Sequence, residues 1–217
     1  MKNVLIIGSS GMIGGTILQL CLQNTEIGTI TLINRKPLNI KHDKVVEIIH
    51  DDFLNLETIQ QVFTNQDICF YCLGVYTGQV STQEFNKITI DYTKSIGLIL
   101  KEKSPKATIC FLSGAGADSS EKSKVLFAKA KGIAENFLIH LNFYNTFIFR
   151  PGYIYPVNKR KEPNMAYKLF RLLYKPLSAI YPNIGLTSLQ LASKMLVVAL
   201  NGYNGVILEN KDIRTLT

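Results

Sequence analysis

A chain of 217 residues, 47% hydrophobic and 18% charged, is long enough to bury a sizeable core and too apolar for a disordered segment. Its net charge of +8 raises nucleic acid as a partner, but the basic residues are spread over Lys41 to Lys106 with one denser patch from Lys159 to Lys175, and no nucleic-acid module accompanies them. Met1-Lys2-Asn3 passes straight into an apolar run, no run has the length of a membrane span, and Cys21, Cys69, Cys72 and Cys110 all lie in apolar segments. The expectation is a cytoplasmic protein with no disulfide framework.

The first element is Val4-Leu5-Ile6-Ile7, which reads as a buried strand. Gly8-Ser9-Ser10-Gly11-Met12-Ile13-Gly14 follows at once and runs into the helical stretch Thr16 to Leu20. A glycine-rich turn between strand and helix seats a nucleotide pyrophosphate. A Cβ would keep phosphates from the backbone amides, and the helix start adds unpaired N–H groups and the positive end of its dipole. These glycines stand at the first, fourth and seventh positions, not at the first, third and sixth of the usual dinucleotide fingerprint.

The second strand, Thr29 to Asn34, ends in Asn34-Arg35-Lys36, where an NAD site wants an Asp or Glu for the ribose hydroxyls. A guanidinium there repels nothing on a 2′-phosphate and grips it with paired, charge-assisted hydrogen bonds, so the sequence favours NADP (NADPH) over NAD. A basic turn without a ligand is the alternative. The third strand, Val45 to Ile49, is followed by Asp51-Asp52-Phe53, a carboxylate and a ring suited to an adenine edge and face; Asp52 is equally placed to cap a helix starting near Leu54.

Helical spacing returns at Leu56, Ile59, Val62 and Phe63, and the continuous apolar run Ile68 to Leu73 reads as a strand buried on both faces. Within it, Cys69 and Cys72 have C-x-x-C spacing, but three steps along a strand put the thiols on opposite faces and no second ligand pair exists, so no metal is expected. A helix over 82–103, a strand over 107–112, a helix over 124–141, a strand over 146–149, a helix over 188–200 and a strand over 205–208 complete the alternation. This pattern predicts an α/β fold with a doubly wound, mostly parallel sheet, in one domain over 1–217 whose segment 151–200 forms the substrate or lid side. Ligands then bind at the carboxyl ends of the strands.

Taken together, Gly8 to Gly14, Ile33-Asn34-Arg35, Asp51-Asp52-Phe53, Tyr71-Cys72-Leu73-Gly74, Leu112 to Asp118, Lys131-Gly132-Ile133-Ala134-Glu135 and Phe149-Arg150-Pro151-Gly152 resemble the atypical short-chain dehydrogenase/reductase family, in its Tat-interacting oxidoreductase branch. The resemblance runs from the amino terminus to about residue 155 and is looser beyond. It implies a Rossmann fold with NADP bound by Gly8, Ser10, Gly11, Met12, Ile13 and Gly14 at the pyrophosphate, Arg35 and Lys36 at the 2′-phosphate, and Asp52 and Phe53 at the adenine. Leu73 and Gly74 would lie beside the adenosine, and Pro151 and Gly152 near the nicotinamide.

The family's chemistry uses a Ser at the end of the fifth strand and, on the next helix, a Tyr and a Lys one turn apart. The Lys grips the nicotinamide ribose and helps the phenol exchange a proton with the substrate oxygen. Lys131 stands at the Lys position. Ser113 fits the Ser position, although the resemblance also allows Gly114 to occupy it. The Tyr position holds Phe127, which has no proton to give. Tyr76, Tyr153 and Tyr155 are the phenols that a loop could bring in; the spacing of Tyr155 to Lys159 matches the pair by number only, because Pro156 follows.

Beyond Pro151, the stretch Met165 to Leu177 places Leu169, Phe170, Leu173 and Leu177 on one helical face with Lys168, Arg171 and Lys175 around it, suited to packing over the site or to an anionic membrane surface. His42, His50 and His140 are too scattered for a metal site or a triad. Two functions stand: an NADPH-dependent oxidoreductase on a small carbonyl compound, with Ser113 and Lys131 catalytic, or a catalytically impaired NADP-binding module that senses the nucleotide and engages a protein or membrane.

Overall fold

Strand and helix alternate along the chain in the computed structural model, which describes residues 1–157, 171, 174, 176, 177 and 181–216. In order come β1 (Lys2–Ile7), α1 (Met12–Gln23), β2 (Ile27–Asn34), β3 (Val45–Ile49), a 3₁₀ helix (Glu57–Phe63), β4 (Ile68–Tyr71), α2 (Thr82–Asn86), a π-helical turn (Lys87–Asp91) and α3 (Tyr92–Lys103). There follow β5 (Thr108–Leu112), α4 (Leu126–His140), β6 (Asn145–Arg150), β7 (Tyr153–Tyr155), β8 (Gly185–Thr187), α5 (Ser188–Asn201), β9 (Ile207–Glu209) and α6 (Asn210–Thr215).

Seven strands form one parallel sheet in the order β3-β2-β1-β4-β5-β6-β9. The chain builds outward from β1 to β3, then returns to lay β4 on the other side of β1. That reversal opens a crevice at the carboxyl ends of β1 and β4, where doubly wound sheets bind ligands. The turn after β1 and the segment after β4 are thus neighbours because of topology.

Both faces of the sheet are covered, which is why the strands read as continuous apolar runs. Along β1 the side chains alternate: Val4 and Ile6 join a core with Ile17, Leu18 and Cys21 of α1 and Leu191 and Met195 of α5. Leu5 and Ile7 join a second core with Ile96 and Leu100 of α3 and Ala134 and Leu138 of α4. Cys69 lies in that second core and Cys72 packs against the first, the opposite faces expected of them. All four thiols are free, and burial pushes Cys21 and Cys72 up to about 12 and raises Cys69 and Cys110 as well, so they stay protonated and unreactive.

Several expectations shift in detail. The helix expected over 82–103 carries a π turn, where Thr93 Oγ1 donates to the Thr89 carbonyl at 2.8 Å, and the helical spacing from Leu56 to Phe63 is a 3₁₀ helix over Glu57–Phe63. The parallel pair β7–β8 and the helix α6 escape the sequence because strands of three residues show no periodicity. Gly185 makes the pair possible, since a Cβ on it would meet the Tyr153 carbonyl oxygen at 1.9 Å. The helix expected over 165–177 falls almost wholly outside the described residues. Among the described residues no helix is long and apolar enough to cross a membrane.

Candidate nucleotide and substrate cleft

The glycine turn is held by backbone sterics. Gly8 has φ +87°, open to glycine, and a Cβ there would stand 2.9 Å from the Cys72 carbonyl carbon and the Leu73 nitrogen. Gly14 brings α1 down onto the turn, since its Cβ would lie 2.3 Å from the Gly8 carbonyl oxygen. The outcome is a helix start at Gly11, Met12 and Ile13 that faces the crevice. Behind the turn, Ser9 Oγ donates to Asn34 Oδ1 at 2.8 Å, and Asn34 Nδ2 and the Leu38 amide donate to Glu47 Oε1 at 2.8 and 2.9 Å. This network fixes the end of β2 against the turn.

Just past that fixed point, Arg35 and Lys36 are exposed, and neither makes a hydrogen bond or ion pair among the described residues. Asp52 is exposed too; its Oδ1 accepts the Leu54 amide at 3.1 Å. The capping expectation is corrected here: the helix begins only at Glu57, so Asp52 closes a local turn instead. Phe53 also departs from expectation. It is 2% exposed in the second core, tilted on Tyr92 with centroids 5.4 Å apart, so its ring is not free to face an adenine.

A cleft of about 830 Å³ lies at the switch point. Gly11, Met12, Ile13, Leu73, Gly74, Ser113, Lys131, Pro151 and Gly152, all singled out from sequence, line it. Gly8 and Gly14 shape it from beneath. Ser10 lines a smaller neighbouring groove, and Arg35, Lys36, Asp52 and Phe53 stand outside its walls. Cys72, Val75, Tyr76, Thr77, Thr89, Leu112, Gly114, Ala115, Phe127, Tyr153, Ile154 and Ile184 complete the lining. Thr89 belongs to the π turn, which no spacing in the sequence announces.

The carboxyl side of the cleft differs from the expected relay. Ser113 donates its hydroxyl proton to Glu135 Oε1, so the proton expected to orient a substrate oxygen is already committed. Glu135 is fully buried and binds the Arg150 guanidinium, whose Nε lies 3.1 Å from both carboxylate oxygens and whose Nη2 also reaches Glu135. Arg150 also donates to Glu209 at 2.9 Å and to Ser119 at 2.6 Å. Its hydrogen bonds to Glu135, with the one to Glu209 adding to them, hold the guanidinium above its ordinary pKa against the effect of burial. The network ties α4, β6, β9 and the loop after β5 together behind the cleft. Sequence reasoning did not connect these residues, although Glu135 one turn after Lys131, on an otherwise apolar helix face, is the signal for it.

Gly114 and Phe127 fit each other. The tip of the Phe127 ring, Cζ, stands 2.8 Å from where a Cβ on Gly114 would be, with the two Cε atoms at 3.6 and 3.7 Å, so the ring points end-on at that position. A serine at 114 has no room beside this ring. Of the loop phenols, Tyr76 and Tyr153 line the cleft, whereas Tyr155 stacks on Tyr174 at 4.8 Å and lies outside it. Lys159 is outside the described residues.

Lys131 is 8% exposed; its Nζ donates to the Leu112 carbonyl at 3.0 Å and stands 4.7 Å over the Phe111 ring. Burial lowers it to about 8, with Glu135 and Cys72 acting the other way. Among the described residues no cluster of His, Cys, Asp and Glu could hold a metal ion. No histidine lines the cleft.

A seven-stranded parallel sheet with a glycine turn at its switch point and a lysine-bearing helix beside the fifth strand is a Rossmann fold, the fold of the short-chain dehydrogenases that the sequence resembles. The chain is similar to HTATIP2 of Rattus norvegicus, 28% identical over 173 residues that cover 78% of this chain and 70% of the relative. FMP52 of Debaryomyces hansenii, a protein called mitochondrial, is 26% identical over 78% of this chain and 74% of its own length. Among solved structures, a short chain dehydrogenase family protein from Francisella tularensis matches with TM-score 0.68 and 14% identity over 99% of this chain and 100% of its own. WbmH of Bordetella bronchiseptica in complex with NAD+ matches with TM-score 0.69 and 15% identity over 96% and 75%. No protein-family model matches the chain.

Proposed function

We propose that this chain binds a nicotinamide dinucleotide in the cleft, in the 2′-phosphorylated form, and that it does not reduce carbonyl compounds by the phenol route of the family it resembles. The observation that carries the binding is the turn itself: Gly14 lets α1 seat on the Gly8 carbonyl, leaving an open cradle that a Cβ would fill. The NAD+ in the WbmH complex supports the ligand class. Gly11, Met12 and Ile13 would hold the pyrophosphate, and Arg35 with Lys36, uncommitted at the end of β2, would take the 2′-phosphate. Leu73 and Gly74 would flank the adenosine, with the Asp52 carboxylate and the Phe53 backbone at its outer end. Lys131 would meet the nicotinamide ribose, and Pro151 and Gly152 would lie by the nicotinamide, which supplies hydride when bound.

What this chain's own residues supply to a reaction is less. Position 127 holds no proton, position 114 has no hydroxyl, and Ser113 gives its proton to Glu135. A general acid or base contributes typically about a hundred- to ten-thousand-fold in rate. A reductase acting on a small carbonyl compound is the second reading, favoured by Lys131, a buried cation in the cleft wall. Calorimetric titration with NADPH and NADH tests the binding: tighter binding of NADPH is expected, and equal affinities sink the 2′-phosphate assignment. Following NADPH oxidation across a panel of aldehydes and ketones separates the readings, since turnover lost on Lys131→Ala favours the enzyme. A cytoplasmic address belongs to the same proposal; cell fractionation decides between it and the mitochondrial label of FMP52.

A further inference from the structure

Lys131 is an enclosed amine in the wall of the cleft, and no ion pair neutralises it among the described residues. Its nearest acid, Glu135, is spent on Ser113 and Arg150, and no ion pair joins Glu135 to Lys131 among the described residues. Cys72, at the end of β4, is the other titratable group that bears on it; β5 brings only the Leu112 carbonyl and the Phe111 ring. One hydrogen bond to a main-chain oxygen holds the nitrogen in place without using its lone pair once the amine is neutral. The cleft that it lines is walled by the apolar surfaces of Leu112, Ala115 and Phe127.

We propose that Lys131 is a carbonyl-reactive amine that condenses with an aldehyde or ketone bearing an apolar substituent to form an imine. The nitrogen bonds to the carbonyl carbon, the C–O bond breaks, and the oxygen leaves as water with the two amine hydrogens, so no oxidant or reductant is consumed. Desolvated lysines in apolar pockets are suited to this step because only the neutral amine is nucleophilic. With burial lowering Lys131 to about 8, the neutral fraction at pH 7 is roughly two hundredfold that of an ordinary lysine. The step consumes no nucleotide and is read on the chain without NADPH, because in the proposed complex the nicotinamide ribose would cover this amine.

The test uses the full chain with benzaldehyde and cyanoborohydride, which reduces an imine to a stable secondary amine, and peptide mass mapping. At pH 7 the adduct is expected on Lys131 ahead of the exposed Lys106 and Lys122, with labelling that rises through a midpoint near 8. Lys131→Arg keeps a cation and loses the adduct from that peptide; should this variant fail to fold, the pH midpoint of the unaltered chain still decides. Labelling of Lys131 no earlier than that of Lys106 and Lys122 overturns the proposal. If NADPH binds while Lys131 stays unlabelled, only the imine falls; if Lys131 is labelled while NADPH does not bind, only the nucleotide reading falls.

Discussion

From Gly8 to Gly14 the cleft is shaped by backbone, with Arg35 and Lys36 just outside its walls, whereas between Ser113 and Lys131 it is made of side chains. The first side needs glycines where the chain crowds itself, a helix start and a cation beyond the strand, and all of these are in place. The second side needs two hydroxyls and an amine in register, and only the amine is available: Gly114 is bare, Phe127 fills its space and Ser113 serves Glu135. Holding a nucleotide and reacting it are therefore separable properties of one fold. A backbone cradle survives side-chain replacement, while a proton relay is lost with a single hydroxyl.

The largest expected effect lies behind the reactive side. Glu135→Ala leaves the buried Arg150 guanidinium without its main partner, and breaking such a pair costs about 3–5 kcal/mol. A urea midpoint should fall accordingly. If the variant is as stable as the parent, the network is not structural and Ser113 is free to be reconsidered as a reacting group.

Lys131 gives the next effect, and it depends on pH. The unfolded chain keeps its proton to about 10.4, whereas the folded protein releases it at about 8, so the unfolded state binds more protons between these values and stability rises with pH across that window. The burial penalty, of order 3 kcal/mol, is present in full below pH 8. Lys131→Met should therefore be more stable than the parent at pH 7, with an advantage that shrinks toward pH 10.5; the difference between the two chains isolates Lys131 from the cysteines and tyrosines titrating nearby. An advantage constant with pH would place an ordinary lysine there.

On the backbone side, Arg35→Ala should weaken NADPH about tenfold, equivalent to about 1.4 kcal/mol, and leave NADH unchanged. An equal loss for both nucleotides would make Arg35 a general electrostatic contributor and blur the contrast between the two sides.

Much of the backbone side was legible in the sequence, because steric demands leave marks at fixed spacings. Gly8 and Gly14 announce the turn, and β-branched runs announce the strands that carry it. The doubly wound, mostly parallel sheet follows from alternation, whereas the order of its strands does not. The side-chain side was legible by identity but not by contact. Phe127 is visible as a missing phenol, yet its fit to Gly114 requires β5 and α4 to be brought together. Ser113 reads as a free hydroxyl until Glu135, on the next helix, is seen to accept its proton. Phe53 reads as a ligand-facing ring because sequence shows that a strand ends there and not which way the following residue turns; the apolar space under α3 claimed it.

Phe127→Tyr is the smallest change and bears most directly on the comparison. Because Cζ points end-on at Gly114, a phenol oxygen on that carbon would stand almost on the place where a Cβ at 114 belongs. The tyrosine ring must swing to another orientation, at a cost of order 1 kcal/mol, and Ser113, which remains with Glu135, does not partner it there. NADPH affinity is expected to stay within about twofold, since the backbone cradle is untouched. Carbonyl reduction, followed as NADPH oxidation, is expected not to rise. A gain of about a hundredfold, the least that a working general acid typically contributes, would mean that the reactive side lacks only its phenol. The two sides of the cleft would then differ by one oxygen atom and not by a rebuilt wall.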